Sequence, residues 1–214
     1  MDDGTTESGT ELLERALGYA LCAVRPVTPE SLHRPTPCRG WDLRALLLHT
    51  GDSLAALHEG IEEGRIGLLP AQDAAADPAE AFRSGAARLL GAWAAADSPA
   101  DRLVAIAGLP LTAAAIARTG ALEIAVHGWD IARATGLPRP VPAGLATVLL
   151  RTARQLLPGP EARHPLFGPP VTVSAEADPS DRLVAFLGRD PYGHEPCPRP
   201  EADAGERAPG RPGA

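Results

Sequence analysis

Apolar residues recur along this chain at intervals of three and four rather than in alternation, a pattern that predicts helices. The first run has Leu13, Leu17, Ala20 and Val24 on its inner side. It is preceded by Ser8 and Glu11, the residues of a capping box, so a helix is expected from there to Val24. The proline-rich stretch 25–37 cannot continue it. A second helix is expected from near Trp41 to about Glu59, with Leu43, Leu46, Leu47, Thr50, Leu54 and Leu57 as its stripe. Asp77-Pro78-Ala79-Glu80 opens a third: an N-cap acid, a first-turn proline and a box glutamate. Phe82, Ala86, Leu89, Leu90 and Trp93 would face inward from it, and residues 60–76 before it form a long connection without an assignable pattern. A short strand is predicted near Leu103–Ala107, then a fourth helix from Thr112 to Thr135, stopped by Gly136 and Pro138. A fifth, Pro142 to Leu156, carries Leu145, Val148, Leu149 and Leu156, and Asp178-Pro179 caps a short last helix ending at Gly188.

Four longer helices with a short C-terminal elaboration predict an all-α fold, a four-helix bundle whose interior is the place for a metal site. Residues 1–9 and 192–214 hold almost nothing apolar and are expected to be disordered, which leaves one domain at 10–191. Composition refines this picture. Of 214 residues 44% are hydrophobic but only 4% aromatic, so the core must be built from Leu, Ala, Val and Ile. All 20 basic residues other than histidine are arginine, which, with abundant Ala, Gly and Pro, suggests a G+C-rich genome. A net charge of -7 with scattered arginines argues against a nucleic-acid partner, which needs a basic face. No apolar run approaches the roughly 18 residues that would span a membrane, and the acidic start Met1-Asp2-Asp3-Gly4 is unlike a signal peptide. Cys22, Cys38 and Cys197 lie far apart and read as free thiols in a reducing cytoplasm.

The fourth helix carries the chemistry. At 100° per residue, Ile116, Gly120, Glu123, His127, Ile131 and Ala134 fall within about 80° of arc. Two ionisable groups therefore sit one turn apart in an apolar stripe, with Asp130 close to the same side. A buried carboxylate and imidazole are costly unless satisfied. Two readings are open from this helix alone: a Glu–His hydrogen bond inside the core, or a pair of metal ligands that still needs a third from a facing helix. His49, on the flank of the second helix with Asp42 and Ser53, is the candidate for that third; taken singly it also suits a half-buried surface position. His33, His164 and His194 lie in proline-rich loops or the tail, and His58 is on the opposite flank of its helix.

Two blocks bear a family resemblance. Pro35-Thr36-Pro37-Cys38-Arg39-Gly40-Trp41-Asp42-Leu43-Arg44, followed by Leu48-His49, resembles the opening of the mycothiol-dependent maleylpyruvate isomerase-like family, a group of DinB-like metal-binding four-helix bundles. Val126-His127-Gly128-Trp129-Asp130-Ile131-Ala132-Arg133-Ala134-Thr135-Gly136 resembles its second signature. Phe167-Gly168-Pro169-Pro170-Val171 and Asp181-Arg182-Leu183 through Leu187-Gly188-Arg189-Asp190-Pro191 resemble the ending of an actinobacterial branch. The resemblance covers about residues 10–191, with nothing diagnostic between 55 and 110. It implies His49, Glu123 and His127 as metal ligands. Gly40 stands where many relatives have an acid, and the chain is too short for the sterol-carrier-like domain that some relatives add.

Asp130 could orient a ligand or anchor an adjacent loop. Cys38 precedes a helix start and has no histidine near in sequence to activate it, so a structural role is expected. Trp129 falls on the far side of its helix and suits packing, and Arg133 suits the surface or a salt bridge. Two imidazoles and a carboxylate leave a coordination position open, as in catalytic Zn²⁺ sites; Fe²⁺ or Ni²⁺ would also suit. The resemblance implies mycothiol as a low-molecular-weight thiol partner, and hence a metal- and thiol-dependent transferase or isomerase acting on a small electrophilic metabolite. The alternatives are a metal-dependent hydrolase or lyase using metal-bound water, and a metal-binding protein without turnover. Neither the substrate nor the oligomeric state is written in the sequence.

Overall fold

The first four long helices begin where side-chain caps stand, whereas Asp178, expected to cap the last helix, makes no capping hydrogen bond. Helix α1 (Gly9–Val24) starts after Ser8, whose hydroxyl accepts from Glu11 N while the Glu11 carboxylate accepts from Ser8 N. Asp42 caps α2 (Leu43–Glu63) by accepting from Ala45 N, and Asp77 caps α3 (Pro78–Ala95) by accepting from Ala79 N and Glu80 N. Helix α4 spans Ala113–Ala134, α5 Ala143–Leu156 and α6 Pro179–Phe186, and a single 3-10 turn covers Pro29–Ser31. The computed structural model describes residues 8–67, 76–96, 101–163 and 167–193. The expectations for residues 1–7, for the tail from 194 on, and for His164, His194 and Cys197 fall outside these.

The fold is mostly helical, and the bundle of α1 to α4 is joined by a small sheet. Helix α2 runs a turn beyond the expected Glu59, to a left-handed Gly64. Strand β1 (Arg65–Ile66) follows and pairs in parallel with β2 (Leu103–Ile106), which pairs antiparallel with β3 (Leu109–Thr112). The β2–β3 hairpin was not expected. Its signal is faint, because the turn Ala107-Gly108 has positive φ at both residues and only one of them is glycine. Thr112 ends β3 and at once caps α4, accepting from Ala115 N, so the sheet fixes where the central helix begins.

Helix α4 is the axis of the molecule. From Gly120 to Ala134, every residue except Glu123 and Arg133 is buried. The buried side of α2 is Leu43, Leu46, Leu47, Thr50, Leu54, Leu57, Gly60 and Ile61, which contains the whole expected stripe. Leu156 is a correction: it is 44% exposed, while the next residue, Leu157, is 6% exposed and fills the core, because the helix unwinds there and redirects the chain.

Helices α1 and α4 approach closely at Gly128. A Cβ there would lie 3.0 Å from Tyr19 Cε1 and 3.2 Å from Ala20 Cα. Tyr19 cannot yield easily, since its hydroxyl donates to the Arg139 carbonyl at 2.6 Å. Gly128→Val is therefore expected to lower stability by about 1–3 kcal/mol through overpacking. Chemical denaturation would measure it, and an unchanged midpoint would show that the helices can part without loss.

Beyond the bundle, α6 packs on α5. Arg163 clamps the connection by donating to the Phe186 carbonyl at 2.8 Å, with its guanidinium over the Phe186 ring. Helix α6 ends in a Schellman turn: Gly188 N donates to Ala185 O and Arg189 N to Val184 O, with Gly188 at φ +85. That turn sends Arg189 back toward α4.

Candidate metal centre

The site lies between α2 and α4. His49 and Ser53 are one turn apart on α2, and Glu123 and His127 are one turn apart on α4. Facing helices bring the pairs together. His49 Nε2 is 2.9 Å from Glu123 Oε1, and the Ser53 hydroxyl donates to the same oxygen at 2.6 Å. One donor atom from each of His49, Glu123 and His127 lies within 4.8 Å of the others. Burial works against the Glu123 charge, but the hydrogen bonds from His49 and Ser53 hold its carboxyl below the usual range.

Trp41, immediately before the α2 cap, covers both imidazoles. Its ring centroid is 4.5 Å from that of His49 and 6.1 Å from that of His127. Gly40 at φ +81 makes the turn that delivers it, with Trp41 N donating to the Cys38 carbonyl. A residue with a side chain at 40 would be strained in that conformation.

Asp130 is fully buried, and it both orients His127 and anchors the chain that follows α6. It accepts from His127 Nδ1 at 3.1 Å and from Arg189 Nη2 at 3.0 Å and Nε at 3.4 Å. Burial disfavours its charge, but Arg189 and the His127 hydrogen bond outweigh that and hold the carboxyl low. An ionised Asp130 can only accept, an arrangement that favours a proton on His127 Nδ1.

Cys38, without a histidine near in sequence, has one near in space. Its sulfur lies within 4.8 Å of His127 and Asp130 donor atoms, forming a second group with metal-ligand chemistry. The two groups are not equivalent. Arg189 already neutralises Asp130, so a cation in the second would have to displace a buried guanidinium. Burial, with Asp130 adding, also pushes the Cys38 thiol up to about 11. Trp129 is buried as expected. Arg133 is half-buried at the edge of the helix, where its guanidinium lies over the Trp129 ring and donates to the Gly193 carbonyl.

Three participants were not foreseen: Ser53 as a donor to Glu123, Trp41 as the cover, and Arg189 as the partner of Asp130. Ser53 left a trace through its shared flank with His49, and Trp41 and Arg189 stand within the quoted motif blocks, but no sequence pattern assigned them these roles.

The family model for the mycothiol maleylpyruvate isomerase N-terminal domain matches residues 13–132, more than half of the chain. The chain belongs to this family. His49, Glu123 and His127 all fall inside the matched segment, as do Cys38 and Asp130. Two uncharacterised proteins of Mycobacterium tuberculosis, from strains CDC 1551 / Oshkosh and ATCC 25618 / H37Rv, are each 39% identical over 69 residues, 31% of this chain. The chain spans only 37% of the length of those relatives. A crystal structure of the mycothiol-dependent maleylpyruvate isomerase shares the fold, with a TM-score of 0.50 and 18% identity over 69% of this chain and 68% of that one. Among the described residues, no helix is long and apolar enough to cross a membrane.

Proposed function

We propose that His49, Glu123 and His127 hold a divalent cation and that the protein is a metal- and thiol-dependent transferase or isomerase acting on a small electrophilic metabolite. The observation that carries the reading is the convergence of the three donor atoms within 4.8 Å of one another. Donors held at roughly 2.0–2.2 Å on adjacent corners of a tetrahedron lie about 3.3–3.6 Å apart, so the widest of the three separations would have to close by up to about 1.5 Å on binding. The donor chemistry suits Zn²⁺ first, and Ni²⁺ or Fe²⁺ as well. Such an ion, when bound, acts as a Lewis acid and favours the deprotonated form of a coordinated thiol.

The chain's own residues prepare the site for it. His127 offers Nε2 because Asp130 takes Nδ1, and Glu123 is kept ionised by His49 and Ser53. His49 Nε2 and Glu123 Oε1, which face each other at 2.9 Å, are the atoms of those two residues that would hold the cation. Trp41 supplies an apolar wall against which a small substrate can lie. Family membership and the name of the structural neighbour support mycothiol as the thiol. The free thiols of Cys22 and Cys38 suit the reducing cytoplasm in which we place the protein.

Metal analysis of protein purified without chelators, followed by calorimetry with mycothiol, tests the reading. Near-stoichiometric metal and mycothiol binding that disappears on metal removal are expected. Metal without thiol binding would favour a hydrolase or lyase, or a binding protein without turnover. Absence of metal uptake would sink the site.

A further inference from the structure

The residues that would hold the cation all lie within the family-matched segment, yet the buried charge network around them ends outside it. Asp130 is 0% exposed and Arg189 8% exposed, so each charge is balanced mainly by the other rather than by water. Arg189 grips Asp130 with a fork, Nε to Oδ1 and Nη2 to Oδ2, the geometry in which a guanidinium fixes the plane of a carboxylate. Asp130 Oδ2 is also the atom that accepts from His127 Nδ1. The plane that Arg189 fixes is thus the plane that sets the imidazole.

Arg189 is itself held at three points. Its Nη1 donates to the Leu187 carbonyl at 3.1 Å, its backbone N–H closes the Schellman turn, and Gly188 stacks on Gly168 so tightly that a Cβ would lie 3.1 Å from the Gly168 backbone. The C-terminal elaboration presents one guanidinium in one position.

From this geometry we infer that Arg189 is a positioning residue of the metal centre: through Asp130 it locks His127 in the Nδ1–H form, so that the C-terminal elaboration completes a site whose ligands all come from the bundle. The inference rests on the metal reading above. Without Arg189, nothing fixes the plane of the Asp130 carboxylate, and His127 loses the fixed acceptor that sets its plane and its tautomer. Lysine at 189 keeps the charge but has no fork, so it restores position only in part.

The test has two readouts. In metal-free protein, nitrogen NMR of the histidine side chains should show His127 as the Nδ1–H tautomer in the wild type and as a mixture in Arg189→Met. In titrations with Co²⁺, followed by its visible spectrum, Arg189→Met should bind about 10–100-fold more weakly, the usual loss on removing a group that orients a ligand. Arg189→Lys should fall between. Should Arg189→Met fail to fold, Asp130→Asn combined with Arg189→Met removes both buried charges, and it should fold with the same mixed tautomer and weakened Co²⁺ binding. A wild type holding the Nε2–H tautomer overturns the inference, as does a folded variant binding Co²⁺ within twofold of wild type. A wild type that takes up no Co²⁺ at all overturns the metal reading itself, and the inference with it.

Discussion

His127→Ala protein, purified without chelators, should carry almost no metal and should remain folded. Loss of a group that merely orients a ligand costs about 10–100-fold in metal affinity, and loss of a ligand should reach at least the upper end of that range. Stability should survive because the partner left behind stays paired: Asp130 keeps both hydrogen bonds from Arg189. His49→Ala should lose metal equally while disturbing the fold still less, since the His49 side chain is 38% exposed. Glu123→Gln should be milder, as an amide oxygen still coordinates without supplying charge. Elemental analysis and circular dichroism on the three variants check this. A His127→Ala protein with wild-type metal content would place the ion elsewhere or nowhere.

Asp130→Ala should produce the largest loss of stability in the molecule. It strands the buried Arg189 guanidinium, which keeps the Leu187 carbonyl as an acceptor but loses its counter-charge. Removing one member of a buried pair typically costs about 3–5 kcal/mol, roughly 6–20 °C in melting temperature for a domain of this size. Asp130→Leu combined with Arg189→Met should recover much of that, because no uncompensated charge remains. The sign of the pH dependence follows from the carboxyl being held below its ordinary value. The stability it contributes is present above the unfolded-state pKa of about 3.9 and is lost as pH falls through the lower folded-state value. Urea denaturation at neutral pH and near pH 3 should therefore show the gap between wild type and Asp130→Ala narrowing in acid. A gap that is equal at both pH values would mean that the pair contributes nothing through its charge.

The helix boundaries and the site were legible to different depths, and the reason is the range of the forces involved. Caps are local: Ser8 with Glu11, Asp42, Asp77 and Thr112 each satisfy backbone donors within three residues, so the starts of α1 to α4 could be read from adjacent letters. Stripes are local too, because helical periodicity alone places Glu123 beside His127 among buried neighbours. The end of α2 is less legible, because Gly64, rather than Gly60, takes the left-handed conformation; Gly60 instead packs against Ile66 and Val104, contacts that exist only once the sheet has formed. His49 was put forward as the third candidate by its place on the flank of α2, and the family resemblance then implied it as a ligand.

By itself, then, the sequence determined which segments are helical, which faces they bury, and that an acid and an imidazole share the stripe of α4. Tertiary structure alone decided the rest. The 2.9 Å approach of His49 to Glu123 depends on how α2 crosses α4, and the hydroxyl of Ser53 gains its meaning only from that crossing. Cys38 looked isolated from any histidine until chain reversal at Gly40 set it near His127. Arg189 is 59 residues from Asp130, and no periodicity links a turn after α6 to the middle of α4. What joins them is the cost of burying a carboxylate, which only a long-range partner of opposite charge can offset.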